Sequence, residues 1–215
     1  MPLITAIAAH PRREGRYRID VDHETVAIVD ADLVLEAKLR VGLEYDSELA
    51  TQIESGSARL LAFDHGLAAL ARRGRSVREL ERWLGARKHG SEEVRQALGR
   101  LSELGFLDDA DFARVFARSR AIDRGRSRRR IEAELARRGV AGDLIEAAIS
   151  ELMQDEQLDD SALINVAATR KLRSLAKHEP EVQRRRLYGY LTRRGFPLAL
   201  VRETVARMTK HPISD

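Results

Sequence analysis

Apolar residues recur along this chain in one arrangement, met three times. From Arg72 to Asp109 the sequence is RRGRSVRELERWLGARKHGSEEVRQALGRLSELGFLDD, and from Asp123 to Asp160 it is DRGRSRRRIEAELARRGVAGDLIEAAISELMQDEQLDD. The two align without a gap at a spacing of 51, pairing Leu80 with Ile131, Leu84 with Leu135, Val94 with Ile145, Leu98 with Ile149, Leu101 with Leu152 and Leu107 with Leu158. A looser third copy lies 56 positions beyond the second, with Leu187, Leu191, Arg194-Gly195, Val201 and Val205. Repeats of this length are supersecondary modules that bury one face against the next. Within each copy the apolar residues fall three and four apart, the period of a helix. Ser76-Val77-Arg78-Glu79 is a capping box, Ser91 opens the next helix, and Asp108-Asp109 and Asp159-Asp160 precede helices carrying Phe112, Ala113, Phe116 and Ala117, then Leu163, Val166, Leu172 and Leu175. The five residues added before the third copy fall in 174–181, where Pro180 suits a first helical turn.

The pattern ahead of the repeats differs. Tyr17, Ile19 and Val21 alternate with Arg16, Arg18 and Asp20, which predicts a half-buried strand. Asp22-His23-Glu24 forms a turn, Val26 and Ile28 continue on the return strand, and Leu3, Ile4 and Ile7 supply a third strand after which His10 to Gly15 is a loop. Leu33 and Ala37 mark a short helix, and Leu49 and Ile53 a second from Ser47. A longer helix starts at Gly56-Ser57 with Leu60, Leu61, Leu67, Ala68 and Leu70 inward, and stops at Arg72-Arg73-Gly74. The expected organisation is an N-terminal extension over 1–56, three-helix repeats over 57–109, 110–160 and 161–210, and a tail over 211–215. The fold class is mainly α, with a small β-containing extension.

Charge sharpens this picture. Residues 1–56 hold six Lys/Arg against eleven Asp/Glu, whereas 57–215 hold 32 against 23, and nearly all of these bases are arginine. A basic array behind an acidic head predicts a polyanionic or acidic partner, since the guanidinium fork suits phosphate and carboxylate. Solvated helix ends are the alternative reading. The arginines gather at equivalent helix ends: Arg72, Arg73 and Arg75; Arg124, Arg126, Arg128, Arg129 and Arg130, then Arg137 and Arg138; Arg185 and Arg186, then Arg193 and Arg194. Helical spacing places Arg126, Arg130 and Arg137 toward one side with Arg129 beside them. Trp83, Glu134 and Tyr190 occupy one equivalent position, and such variety fits the boundary between core and surface.

Signatures of catalysis are missing. The chain contains no G-x-x-x-x-G-K, no G-x-G-x-x-G after a strand, no H-E-x-x-H and no G-x-S-x-G. The six histidines lack metal-ligand spacing and are read as surface or loop residues. Asp108-Asp109 and Asp159-Asp160 have the composition of an acid/base pair or a Mg²⁺ site, but their recurrence before helices fits capping. The reading is therefore of a chain that is not an enzyme, with no cofactor and no metal. With no cysteine there is no disulfide or thiolate chemistry, which fits the cytoplasm. No run of 18 apolar residues exists and the start lacks a charged segment before its apolar residues, so no membrane association is expected.

These residues resemble the RecX family of recombination regulators. The likeness is carried by R-G-R-S-x-x-E-L-x-x-x-L from Arg73 to Leu84, and by L-x-x-L-G-F-L-D-D-x-x-F-A from Leu101 to Ala113. It continues with G-R-S-R-R-R-I-x-x-E-L-x-x-R-G-V from Gly125 to Val140 and Y-L-T-R-R-G-F from Tyr190 to Phe196. The resemblance implies three tandem three-helix repeats forming an elongated curved array. It also implies a monomer that binds the RecA recombinase and lodges in the groove of the RecA–DNA filament. There it would restrain filament growth, ATP hydrolysis, strand exchange and RecA-stimulated repressor cleavage. The arginines gathered at the helix ends would be the partner-binding residues. Tandem helix-turn-helix-like modules acting directly on single- or double-stranded DNA are the alternative.

Overall fold

The computed structural model describes residues 1–156 and 159–210. Gln157, Leu158 and the tail 211–215 lie outside the described residues, so the repeat position read at Leu158 and the tail fall there. The chain divides into two compact units, residues 1–107 and residues 108 onward.

The first unit opens with an antiparallel sheet of β1 (Ile4–Ala9), β2 (Arg16–Val21) and β3 (Glu24–Asp30), in that order. Asp22 and His23 take φ of 47° and 68° in the β2–β3 turn, left-handed at both central positions as tight hairpin turns require. The face assignment of β3 differs from the alternation read in the sequence. Tyr17 opposes Val29 and Ile19 opposes Ala27, so Val29 and Ala27 share the buried face of Ile19. Val26 and Ile28 are 43% and 37% exposed. A register shift between Ile19 and Asp20 sets this phase. Asp20 is buried but satisfied, accepting from Thr25 Oγ1 at 2.8 Å and Arg18 Nη2 at 3.0 Å.

Asp30 caps α1 (Ala31–Glu36) through Leu33 N, and Asp46 caps α2 (Ser47–Arg72) through Leu49 N. Helix α2 is continuous, so the two helices expected on either side of position 56 are one, and it crosses the 56/57 boundary without a break. Gly56 is not a start signal. It is buried where a Cβ would strike the Leu33 side chain, so glycine there allows close packing against α1. Further along, Leu61 is 50% exposed and Ala68 faces outward, while Ala62, Gly66 and Ala69 take the inward places. The small residues admit Leu101, which a Cβ at Gly66 would approach to 2.8 Å. Arg73 leaves α2 in extended backbone at φ −165°, so Gly74 is not the left-handed stop that its composition implied.

With α2, the helices α3 (Val77–Gly85) and α4 (Ser91–Glu103) enclose Leu80, Leu84 and Leu101. Ser76 caps α3 by accepting from Glu79 N at 3.1 Å, as the capping box requires.

The second unit holds α5 (Asp109–Arg118), a π-helical turn (Ser119–Asp123), α6 (Arg128–Arg138), α7 (Gly142–Asp155), α8 (Asp160–Leu175), α9 (Pro180–Arg193) and α10 (Leu198–Lys210). One core joins both three-helix groups, with Ile131, Leu135, Ile149, Ile164, Leu187 and Leu191 fully enclosed. Asp108 caps α5 through Ala110 N and Asp111 N, and Asp159 caps α8 through Ala162 N. The carboxylates thus do what their recurrence before helices predicts. Pro180 takes the first turn of α9, and Gly139 closes α6 at φ 86°. Val166, read as inward, is 47% exposed, its place in the core being held by Ile164, Ala167 and Ala168.

Candidate functional site

The site is assembled where the π-helical turn, the start of α6 and the α9–α10 turn meet in the second unit. Gly125, at φ 56°, lets the chain pass Ala167, whose Cβ a side chain at 125 would meet at 3.1 Å. Ser127 is buried, caps α6 through Arg130 N at 3.2 Å, and donates its own N–H to the Arg194 carbonyl at 3.2 Å. Gly195, at φ 89°, abuts the Arg130 stem and Ser127 Oγ, both 2.9 Å from where a Cβ would be. These contacts hold Arg126 and Arg130 beside Arg194.

Charges converge there. Glu134 Oε1 accepts from Arg130 Nε at 2.9 Å, Oε2 accepts from Arg120 Nε at 3.2 Å, and Arg126 Nε lies 3.9 Å from Oε1. Burial opposes ionisation of Glu134. The Arg130 hydrogen bond and the charges of Arg126 and Arg120 outweigh it and hold the carboxyl below the usual carboxylate range. Arg170 crosses from α8 and donates to the carbonyls of Asp123 at 2.7 Å and Ile122 at 3.3 Å. Arg194 stacks over the Tyr190 ring at 4.4 Å, with Lys171 over the same ring at 5.5 Å. Burial lowers the Arg194 pKa; Tyr190 opposes this, and the neighbouring charges of Arg126, Arg170 and Arg124 add to it. Arginine keeps its proton regardless, so the result is concentrated positive charge.

The other arginines read from the sequence are placed differently. Arg128 pairs with Glu132 at 2.7 Å, Arg137 donates to the Ala133 carbonyl, and Arg138 shares the Phe116 ring with Arg120. Arg124 and Arg129 are exposed with no ion pair among the described residues. Arg186 meets His178 Nε2 at 2.8 Å, and Arg193 lies across Gly189. Arg185, with Arg184, Arg202 and Tyr188, lines a groove of about 530 Å³ between α9 and α10. In the first unit Arg72 is exposed, Arg73 lies 3.6 Å from Glu79, and Arg75 stands 5.2 Å from the Trp83 ring, over which Arg87 stacks at 3.4 Å.

The equivalence of Trp83, Glu134 and Tyr190 thereby acquires a meaning. Each is half-buried and each gathers cations, two through a ring and one through a carboxylate. Arg120, Arg170 and Lys171 were not anticipated. Arg120 and Lys171 are themselves 51 apart, so the repeat held the signal; the π-helical turn after α5 breaks the phase by which periodicity would have placed Arg120.

The histidines also depart from expectation. His65 on α2 and His89 before α4 touch, with Nδ1 and Nε2 2.9 Å apart. Burial lowers the His89 pKa below 6.5; His65 and Arg87 add to this and Glu93 opposes it. As pH falls below about 6.5, the unfolded chain takes up a proton that the folded unit refuses, so stability falls. Melting temperature is therefore expected to drop between pH 7.5 and 5.5, and His89→Asn to flatten that part of the dependence. An identical pH profile for the variant would remove the pair from the explanation.

Among the described residues no group of three His, Cys, Asp or Glu side chains could hold a metal ion, and no helix is long and apolar enough to cross a membrane. Comparison with known proteins adds the family. Residues 108–149 match the description "RecX, second three-helix domain" and 159–205 match "RecX, third three-helix domain". A regulatory protein RecX of Chlorobaculum tepidum is 35% identical over 144 residues, spanning 67% of this chain and 86% of that protein. The chain belongs to the RecX family. A RecX of Lactobacillus gasseri is 30% identical over 159 residues, 74% of this chain but 58% of the relative's own length, so the match there spans less than two thirds of that protein. A crystal structure of regulatory protein RecX superposes with a TM-score of 0.72 at 21% identity, covering 96% of this chain and all of that one, which supports the fold. The matched regions include Arg120, Arg124, Arg126, Arg130 and Glu134 in the second domain and Arg170 and Arg194 in the third.

Proposed function

We propose that this RecX-family regulator binds RecA and RecA–DNA filaments in the cytoplasm and restrains ATP hydrolysis, strand exchange and repressor cleavage by lodging in the filament groove. The observation that carries the reading is a cationic cluster in the second unit: Arg120, Arg126 and Arg130 share one carboxylate, and Arg124, Arg126 and Arg170 lie close enough to Arg194 to act on its charge. So dense a cationic surface is stable beside a polyanion and costly without one. Contact with several protomers at once would raise avidity through effective concentration, and blocked motion between protomers would stop ATP turnover with no chemistry in this chain.

The discriminating experiment compares binding to RecA filaments on single-stranded DNA, to free RecA and to bare DNA as salt rises. Tight binding to filaments, with weak binding to bare DNA, is the expected result. If bare DNA is bound as tightly as filaments, with log K falling at a slope of about −5 for roughly six phosphate contacts, direct DNA binding by helix-turn-helix-like modules is the better description.

A further inference from the structure

Three guanidinium groups meet one carboxylate beside α6, and one donor of the set is left without an acceptor. The two oxygens of Glu134 serve Arg130 and Arg120. Arg126 Nε, 3.9 Å away, is buried and has no hydrogen-bond partner. Native proteins leave few buried donors in that state. A phosphodiester likewise presents two anionic oxygens, but they are carried on a tetrahedral phosphorus, and a group arriving from outside can seat where Arg126 Nε reaches it as well as the donors of Arg120 and Arg130. Glu134 is also within reach of an incoming group, its side chain being 18% exposed on a flexible stem. At the equivalent positions the other copies carry rings, Trp83 and Tyr190, which gather arginines without neutralising them.

We propose that Glu134 stands in for a nucleic-acid phosphate: it holds Arg120, Arg126 and Arg130 together in the free protein and is displaced when a phosphodiester group takes its place. This rests on the polyanion-binding reading of the cluster and adds its regulation. The cluster quenches its own charge until a ligand able to satisfy all three donors arrives. Affinity for nucleic acid is accordingly set below what the arginines alone would give, and removing the acid raises it.

The test uses the full chain, no RecA and a fluorescein-labelled oligothymidylate, with anisotropy read across about 50–200 mM salt. Glu134→Gln removes the charge. Glu134→Tyr installs the ring that the third copy carries, and serves where Gln loosens α6. Both are expected to bind about threefold or more tighter at low salt, with the log–log slope little changed, because the wild type seats the same phosphate once Glu134 is displaced. Glu151→Gln, which removes the same charge from the exposed side of α7, is expected to change the affinity little. Equal or weaker binding by the folded Glu134 variants overturns the proposal, as does an equal gain in Glu151→Gln. A gain confined to a poly-glutamate peptide overturns the phosphate assignment in favour of an acidic protein face. Because RecA is absent, failure of filament inhibition would leave a positive result standing, and an unchanged oligonucleotide affinity would leave the filament reading intact.

Discussion

Arg124→Glu combined with Arg129→Glu is expected to abolish inhibition of RecA ATPase while leaving the helical circular dichroism unchanged. Both side chains are exposed and neither has an ion pair among the described residues, so reversing them removes no internal contact. Arg124 nonetheless belongs to the cluster, since it contributes to the field at Arg194, and Arg129 stands in the first turn of α6, next to Arg130. Reversal at two positions changes the local charge by four, enough to turn an attractive surface against a polyanion. Arg130 is the poorer target although it lies beside Arg129. A carboxylate there would face Glu134, and any loss of activity would be confounded with disruption of the start of α6. Full inhibition by the folded double variant would remove this face from the mechanism.

Leu135→Ala is expected to destabilise the second unit by about 2–5 kcal/mol, read as a fall in the urea midpoint without a change in slope. Leu135 is wholly enclosed and shares its core with Ile131 and Ile149 of its own three-helix group and with Leu187 and Leu191 of the next. A cavity at that point is felt by both groups, because they have one core rather than two. Leu135 also follows Glu134 directly, so the loss would loosen the helix that presents the arginines. A shift below about 0.5 kcal/mol would mean that the site collapses to fill the space and that the shared core is less constraining than its burial implies.

The helical repeat could be read from spacing alone because a buried helical face imposes its period on every copy. Leu80, Ile131 and Leu187, and Leu84, Leu135 and Leu191, all proved fully enclosed. The caps at Ser76, Asp108 and Asp159 and the first-turn Pro180 were equally plain, since each satisfies a local backbone requirement. What escaped depends on packing at a distance. Gly56 resembles a break, yet it is a small residue under Leu33 inside a continuous helix. Val26 and Ile28 alternate correctly but on the outer face, because a register shift decides the phase. The arginines were visible as a charge run, but their sorting was not. Whether a guanidinium pairs with an acid, as Arg128 does, or covers a ring, as Arg194 does, depends on partners that lie on other helices or a turn away. Arg170, which reaches back 47 positions to Asp123, has no counterpart in any local pattern.

The most direct test is RecA ATPase on single-stranded DNA, titrated with the full chain at ratios well below one per RecA. Hydrolysis is expected to fall steeply while RecA is still in excess, as one chain restrains several protomers. An unchanged rate up to equimolar protein, with the chain folded throughout, would contradict filament regulation by this protein.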